Sequence, residues 1–305
     1  MGRGDIAGDG RKRTWVLGGG GARGAAQVGA LLALFEAGLE PPSRLIGASV
    51  GALNGATIAG YPSLAGAGML RELWLSPQAR DVFRAHPLGV VLSRLRSGSV
   101  AALPAANVRR LLERAVQLIG IDTFEGLQVP LQVVATDIGA GRPRVFSQGP
   151  LIPALQASTA IPGIFPAVEI EGTPYLDGGI VDNMPISLAL ELGSREVLGI
   201  ELMAGGELER HPRSWSDLMA RTLQLTLHHR VLADFERLRQ RARVVLLCPV
   251  LPPSAGADMR REPVETLIEA TRLATGRLLA AQGRRLFRES SIHYLNLETA
   301  NSAAS

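Results

Sequence analysis

Apolar residues recur along the chain in two alternating patterns, short continuous runs and longer helical repeats. Residues 14–17 form an apolar run that passes into a glycine-rich loop, 18–24, and then into a helix-like stretch ending at residue 37. A second run, 44–46, passes through another glycine turn into a helical stretch at 50–59. This alternation predicts an α/β fold built on a parallel sheet. In such a sheet both glycine turns lie at the carboxyl edge of the strands, where ligands bind.

The remaining apolar patterns extend the α/β prediction to the C-terminus. A Glu171-Gly172 turn joins two short runs as a predicted hairpin, and Asp182 or Asn183 is the predicted cap of a further helix. The predicted strands are 129–136, 143–147, 168–170, 173–176, 196–202, 243–247 and 292–297, and the predicted helices are 64–75, 105–119, 215–240 and 262–287.

Length and composition indicate one large domain. The chain has 305 residues, and 46% of them are hydrophobic, which is enough for a sizeable core. We expect a flexible leader at 1–13, a core at 14–203 with a helical insertion at about 62–120, a C-terminal part at 204–297 that completes the same domain, and a flexible tail at 298–305.

Two stretches without charge, 45–70 and 145–168, are each long enough to cross a membrane. The first contains six glycines and the second contains four prolines, so neither is a convincing transmembrane helix. We expect these stretches to line the interior, where a charged group is costly to bury.

Charge and cysteine content narrow the expected partners. The net charge is +4, and every basic residue except Lys12 is arginine, which is more typical of a genomic bias than of nucleic-acid binding. Scattered arginine beside apolar patches suits peripheral contact with an anionic membrane. The single cysteine, Cys248, excludes an internal disulfide and a cysteine metal cluster, and residues 1–13 lack a secretory apolar core. We therefore expect a cytoplasmic protein with no nucleic-acid partner.

The second glycine turn, Gly47-Ala48-Ser49-Val50-Gly51, has the Gly-x-Ser-x-Gly pattern of a nucleophile elbow. Gly47 and Gly51 remove side chains that would crowd a sharp bend, and Ser49 would stand at the N-terminal end of the following helix. The helix dipole there favours developing negative charge. The alternative is an ordinary strand-to-helix turn in which Ser49 caps the helix.

The first glycine loop has two interpretations. Its pattern, Gly-x-Gly-x-x-Gly at 19–24, occurs in dinucleotide-binding proteins, but these carry an acidic residue at the end of the second strand, where this chain has no carboxylate. Consecutive glycines also let several N–H groups converge on one oxygen, as in an oxyanion hole, and this reading is favoured. The candidate oxyanion residues are Gly19, Gly20, Gly21, Ala22, Arg23 and Gly24.

A serine nucleophile needs a neighbouring base. Asp177, in Asp177-Gly178-Gly179, is by itself equally typical of a turn. Among the five histidines, His293 on a predicted C-terminal strand is the one that would complete a Ser-Asp-His order like that of an α/β-hydrolase, so this alternative stays open.

Four motifs together resemble those of the patatin-like phospholipases. They are Gly-Gly-Gly-x-Arg-Gly at 19–24, Gly-Ala-Ser-Val-Gly at 47–51, Ala-Ser-x-x-x-Pro at 157–162 and Asp-Gly-Gly at 177–179. Each is weak alone, but four in this order are strong. The resemblance runs from residue 15 to residue 203 and says little about the last hundred residues.

The resemblance implies a three-layer α/β sandwich with a mostly parallel central sheet and a Ser-Asp dyad that needs no metal or cofactor. Ser49 would be the nucleophile and Asp177 the base, with the loop at 19–24 as oxyanion hole. Gly178, Gly179 and Ser158 would be supporting residues, since Ser158 lacks a glycine elbow of its own. Such proteins hydrolyse acyl esters of phospholipids, lysophospholipids or simpler alcohols.

Overall fold

The computed structural model describes residues 13–82, 103–205, 214–251 and 259–297. The expected leader, apart from Arg13, and the expected tail lie outside the described residues, as do His86 and His211.

A central sheet runs through the described part of the chain, in the order β5-β6-β3-β2-β1-β7-β8-β9, with β4 also paired to β3. The six strands β3, β2, β1, β7, β8 and β9 run parallel to one another. Strands β4 and β6 are antiparallel to β3, and β5 is antiparallel to β6. The strands are β1 (Thr14–Leu17), β2 (Arg44–Ala48), β3 (Leu131–Asp137), β4 (Arg142–Phe146), β5 (Val168–Ile170), β6 (Thr173–Asp177), β7 (Glu196–Ile200), β8 (Arg243–Val250) and β9 (Ser291–Asn296). The predicted mostly parallel sheet and the predicted β5–β6 hairpin are confirmed.

The ends of β2 and β6 meet on one edge of β3. Ala48 at the end of β2 pairs with Val134, and Asp177 at the end of β6 pairs with the next residue, Ala135. Both Val134 and Ala135 also pair with β4, which must therefore occupy the opposite edge. Since β6 continues along β3 where β2 stops, the residues that follow β2 face the last residue of β6.

Helices cover both faces of the sheet. Side chains alternate along β1: Trp15 and Leu17 enter the larger core cluster, while Val16 enters the cluster on the other face. The helices are α1 (Gly24–Glu36), α2 (Val50–Gly60), α3 (Leu64–Trp74), α4 (Pro77–Asp81), α5 (Ala105–Ile119), α6 (Leu151–Ser158), α7 (Gly179–Asp182), α8 (Ile186–Glu191), α9 (Trp215–Leu238) and α10 (Arg261–Gln282). Residues of α1, α2, α3, α5, α6 and α10 form the first cluster, and residues of α8 and α9 join the second. The expected three-layer arrangement is confirmed.

The two uncharged stretches fold as short elements. The first forms most of β2, all of α2 and part of α3, and the second includes the end of β4, α6 and the start of β5. None of the helices in the described residues combines the length and the apolar character needed to cross a membrane.

Candidate active site

Ser49 occupies a sharp corner between β2 and α2. Its backbone angles, φ 54° and ψ −128°, lie in a region that residues other than glycine rarely adopt, and holding such a conformation typically costs about 1–3 kcal/mol. A Cβ on Gly51 would run into the backbone of Leu17 and Gly18, so the bend requires glycine there. Ser49 does not cap α2 with its side chain, which is free to point elsewhere.

The Ser49 side chain contacts Asp177. Ser49 Oγ donates a hydrogen bond of 2.6 Å to Asp177 Oδ2, across 128 residues of sequence. Both residues are buried, with exposed fractions of 5% and 6%. The edge-sharing of β2 and β6 along β3 brings the two together.

Burial makes Asp177 a stronger base than an ordinary carboxylate. It raises the pKa of Asp177 from 3.8 to about 6, and the hydrogen bonds from the Ser49 hydroxyl and the Gly179 N–H oppose that shift. Gly179 N–H donates to Oδ1 at 2.8 Å, so Oδ2 is the oxygen directed at Ser49. Asp177 is therefore largely ionised at neutral pH, yet it is able to take a proton.

Ser158 links the two halves of the site. Its hydroxyl accepts a hydrogen bond from Ser49 N–H at 2.8 Å and donates one to Val134 O at 2.6 Å. Its carbonyl accepts the N–H of Gly178 at 3.2 Å. Ser158 is fully buried and does not contact Asp177 through its hydroxyl, in keeping with the expected structural role.

Half of the amides in the glycine loop are already used. Gly19 N–H donates to Asn183 O, Arg23 N–H to Gly20 O, and Gly24 N–H to Gly21 O. These three N–H groups, which the sequence pattern included in the oxyanion hole, are therefore not free to hold an oxyanion. Within the described residues, the N–H groups of Gly20, Gly21 and Ala22 have no acceptor. Gly19 passes so close to Ser49 and Asn183 that a Cβ there would meet both side chains.

Asn183 supports the loop, a role that the sequence did not reveal. Its carbonyl accepts Gly19 N–H at 3.0 Å, and its side-chain amide donates to Gly19 O at 3.3 Å. The predicted cap role of Asp182 or Asn183 was wrong, because Pro185 occupies the N-cap of α8 without a side-chain hydrogen bond. The nearby Asp-Asn-x-Pro pattern looks like ordinary helix initiation, so no local signal separates the two roles.

Arg23 lies against the base of the loop. Its Nη1 is 3.5 Å from Met203 Sδ, and burial lowers the pKa of the guanidinium while the nearby Glu201 carboxylate opposes that shift. Glu201 is itself fully buried and accepts the N–H groups of Met203 and Ala204. This arrangement favours a structural role for Arg23.

An apolar pocket opens beside Ser49. It lies between the glycine loop and the helices on the larger core face. The lining residues are Gly21, Ala22, Ser49, Val50, Leu53, Trp74, Val82, Val108, Leu111, Thr159, Ile161, Phe165 and Met259. Such a lining suits an acyl chain better than a polar group.

The other candidate groups lie away from Ser49. His293 is on β9, which β1, β7 and β8 separate from β2, and it contacts Ser291 instead. His293 therefore does not complete a Ser-Asp-His triad with Ser49 and Asp177. Cys248 is buried in β8, where desolvation raises the pKa of its thiol. No cluster of metal-binding side chains occurs within the described ranges.

The α/β fold with a serine elbow at the carboxyl edge defines a class of esterase-like proteins, and comparison with known families identifies the family. The model for patatin-like phospholipases matches residues 15–190. This chain belongs to the patatin-like phospholipase family.

Individual relatives match part of the chain. An uncharacterised NTE family protein of Mycobacterium tuberculosis is 30% identical over 216 residues, which cover 69% of this chain and 55% of that protein. Patatin-like phospholipase domain-containing protein 7 of Rattus norvegicus is 31% identical over 196 residues, which cover 64% of this chain and 14% of that protein. The chain thus spans about half the length of the mycobacterial relative and much less of the rat protein.

A solved structure shares the fold. VipD from Legionella pneumophila aligns with a TM-score of 0.52 at 17% identity, over 89% of this chain and 67% of that one. At that identity the likeness is one of architecture, a mostly parallel sheet with helices on both sides.

Proposed function

We propose that this protein is a serine acyl hydrolase that cleaves carboxylic esters of phospholipids, lysophospholipids or related lipids through a Ser49–Asp177 dyad. The observation that carries the proposal is the buried 2.6 Å hydrogen bond from Ser49 Oγ to Asp177 Oδ2 at a strained elbow. Membership of the patatin-like phospholipase family supports the lipid substrate class.

The first half-reaction forms an acyl-enzyme. Asp177 takes the proton from Ser49 as Oγ attacks the ester carbonyl, and the N–H groups of Gly20, Gly21 and Ala22 stabilise the resulting oxyanion. The bond to the leaving alcohol then breaks, and the alcohol oxygen takes the proton from Asp177. Removing one oxyanion donor typically costs about 100- to 1,000-fold in rate.

The second half-reaction releases the fatty acid. Water enters as the alcohol leaves, Asp177 takes a proton from it, and the hydroxide attacks the acyl carbonyl. The tetrahedral intermediate collapses by breaking the bond to Ser49 Oγ, which recovers its proton from Asp177. The pocket lined by Leu53, Val108 and Leu111 holds the acyl chain throughout.

Labelling with a fluorophosphonate probe tests the dyad. We expect wild type to react, Ser49→Ala to lose labelling completely, and Asp177→Asn to label about 100- to 10,000-fold more slowly, the range of a lost general base. Ser63→Ala is the matched control, because Ser63 caps α3 and lies outside the site. Undiminished labelling of Ser49→Ala would refute the nucleophile assignment.

We further propose that the protein works at an anionic membrane surface, which it meets through the exposed face of α9. The first turns of α9 direct Gln224 and Leu227 inward and leave five large apolar side chains exposed on the other side. They are Trp215, Leu218, Met219, Leu223 and Leu225, and the exposed Thr222 and Thr226 lie among them.

The buried side of these first turns of α9 lies close to the glycine loop. Gln224 donates to Met203 O at 3.2 Å, and Met203 in turn contacts Arg23. The chain as a whole carries a net charge of +4, and in these turns of α9 Arg221 and Arg230 outnumber the single carboxylate, Asp217, which suits an anionic lipid surface. A bilayer is therefore a better occupant than a second copy of this basic chain.

Tryptophan emission tests the membrane contact. Trp215 is 68% exposed, whereas Trp15 and Trp74 are buried, so a blue shift on adding anionic phospholipid vesicles reports on α9. Trp215→Phe should lose the shift, and Leu218→Glu with Leu223→Glu should lose vesicle binding. The paired control is Leu192→Glu with Leu273→Glu, which alters exposed leucines elsewhere. Emission unchanged by vesicles, or a dimer that the α9 variant dissociates, would refute membrane docking.

A further inference from the structure

Three buried side chains from three different helices form a continuous hydrogen-bonded chain beside the candidate site. Trp74 Nε1 on α3 donates to Asn54 Oδ1 at 2.9 Å. Asn54 Nδ2 on α2 donates to Gln27 Oε1 on α1 at 2.9 Å. Gln27 and Asn54 have no exposed surface, and Trp74 is 4% exposed.

The side-chain amides of Gln27 and Asn54 hydrogen-bond to backbone carbonyls at both ends of the glycine loop. Gln27 Nε2 donates to Gly18 O at 2.8 Å and to Ile200 O at 3.3 Å, while Asn54 Nδ2 also donates to Gly24 O at 3.1 Å. Gly18 and Gly24 bracket the free N–H groups of the loop. Because a peptide unit is planar, fixing the carbonyls of Gly18 and Gly24 also fixes the N–H groups of Gly19 and Ala25, which flank the three proposed oxyanion donors.

Every polar position of the two amides is used. Each side-chain NH₂ group donates twice, and each side-chain oxygen accepts once. Rotating either amide by 180° would place an oxygen against carbonyl oxygens, so the network has one orientation. A fully satisfied buried network of this kind is rigid, and a partly satisfied one is costly.

Trp74 connects this network to the apolar pocket. Its ring lines the pocket, and it packs so closely on Gly24 that a Cβ there would collide with it. An acyl chain in the pocket therefore touches the same side chain that holds Asn54 in place.

We propose that Gln27 and Asn54 are positioning residues that hold the glycine loop in its oxyanion-binding geometry, and that Trp74 makes this geometry sensitive to an acyl chain in the pocket. The inference rests on the proposed hydrolase function. If the network positions the oxyanion donors, disturbing it lowers kcat and leaves the affinity for the substrate nearly unchanged. A longer acyl chain tightens the loop through Trp74, so kcat rises with chain length as well as binding.

The first test measures the loop itself and needs no catalysis. Trp74→Phe keeps an aromatic pocket wall but removes the N–H that Asn54 Oδ1 accepts. We expect backbone hydrogen exchange of Gly19, Arg23 and Gly24 to become at least about fivefold faster, since one hydrogen bond of about 1 kcal/mol is lost. Unchanged exchange in the loop overturns the proposal, whatever the activity of the protein.

The second test separates rate from binding with 4-nitrophenyl esters of two to twelve carbons. In wild type kcat should rise with acyl length, and in Trp74→Phe that rise should disappear while KM still falls with length. Gln27→Glu and Asn54→Asp should lower kcat about 10- to 100-fold with KM within about threefold, because the oxyanion donors move. The matched control is Thr57→Val, which alters another buried polar residue of α2 away from the loop.

A transition-state mimic completes the test. A trifluoromethyl ketone forms a tetrahedral adduct with an oxyanion, so its Ki should rise in each variant in proportion to the loss of kcat/KM. A loss of thermal stability with kcat and Ki unchanged would mean that the network is only structural. Wild type that neither hydrolyses esters nor binds the ketone would instead refute the proposed function, while the exchange result would still decide whether the network positions the loop.

Discussion

The burial of the Asp177 carboxylate should affect the stability of the folded protein as well as catalysis. The pKa of Asp177 is raised from 3.8 to about 6 in the folded protein, chiefly by desolvation. The folded state therefore binds the proton more tightly than the unfolded state, and folding becomes less favourable as pH rises from about 4 to about 6. This rise in the pKa lowers the free energy of unfolding by about 3 kcal/mol at pH 8 and by about half that at pH 5.

Replacing Asp177 with asparagine removes that cost and preserves the shape of the side chain. We expect Asp177→Asn to unfold in urea with a free energy up to about 3 kcal/mol larger than wild type at pH 8, and with a smaller advantage at pH 5. Asp137→Asn is the matched control, since Asp137 lies on the neighbouring strand β3, is less buried, and should show no such gain. A variant no more stable than wild type at pH 8 would refute the desolvation argument.

The same substitution should nearly abolish activity, so stability and function move in opposite directions. In wild type, kcat/KM should rise with pH as Asp177 ionises, with a midpoint near pH 6 and about a tenth of the plateau at pH 5. Asp177→Asn should lose this acid limb. Full ester turnover by the variant would exclude Asp177 as the base.

Two further substitutions and one chemical modification test residues in and away from the site. Ser158→Ala removes the acceptor for Ser49 N–H and the donor to Val134 O. We therefore expect urea unfolding to show about 1–3 kcal/mol less stability and ester kinetics to show a lower kcat. No change in either measurement would contradict the linking role of Ser158. His293→Ala should retain full ester turnover, because His293 lies on β9, and a large loss would revive a histidine triad. The Cys248 thiol is buried with a raised pKa, so iodoacetamide at pH 8 should alkylate it only after unfolding, and rapid modification of the native protein would contradict its burial.

Local patterns predicted the order of the elements well. The apolar run at 14–17, the helix at 105–119 and the hairpin at 168–176 appear where alternation and turn residues placed them. Glycine spacing also predicted the elbow at Ser49, because positions where two backbone segments approach closely require glycine. These features depend on residues near one another in the chain, which is why the sequence contains them.

Features that depend on long-range contacts were harder to predict. The local sequence around Asp177 fits a catalytic base and a turn former equally well. The contact between Asp177 and Ser49 depends on where β6 ends along β3. Asn183 resembled a helix cap, although its hydrogen bonds go to Gly19 instead. Gln27 and Asn54 did leave a signal, because each is the single amide of a helix whose other residues are apolar or glycine apart from Glu36 and Thr57.

The shared edge of β3 means that backbone pairing, more than any side chain, sets the distance between hydroxyl and carboxylate. Successive residues of a strand are about 3.3 Å apart and point to opposite faces. Shifting the register of β6 on β3 by one residue would move Asp177 out of hydrogen-bonding distance of Ser49 and direct its side chain to the opposite face of the sheet. Insertions or deletions in β6 are therefore expected to abolish the proposed ester hydrolysis even where every motif residue is retained.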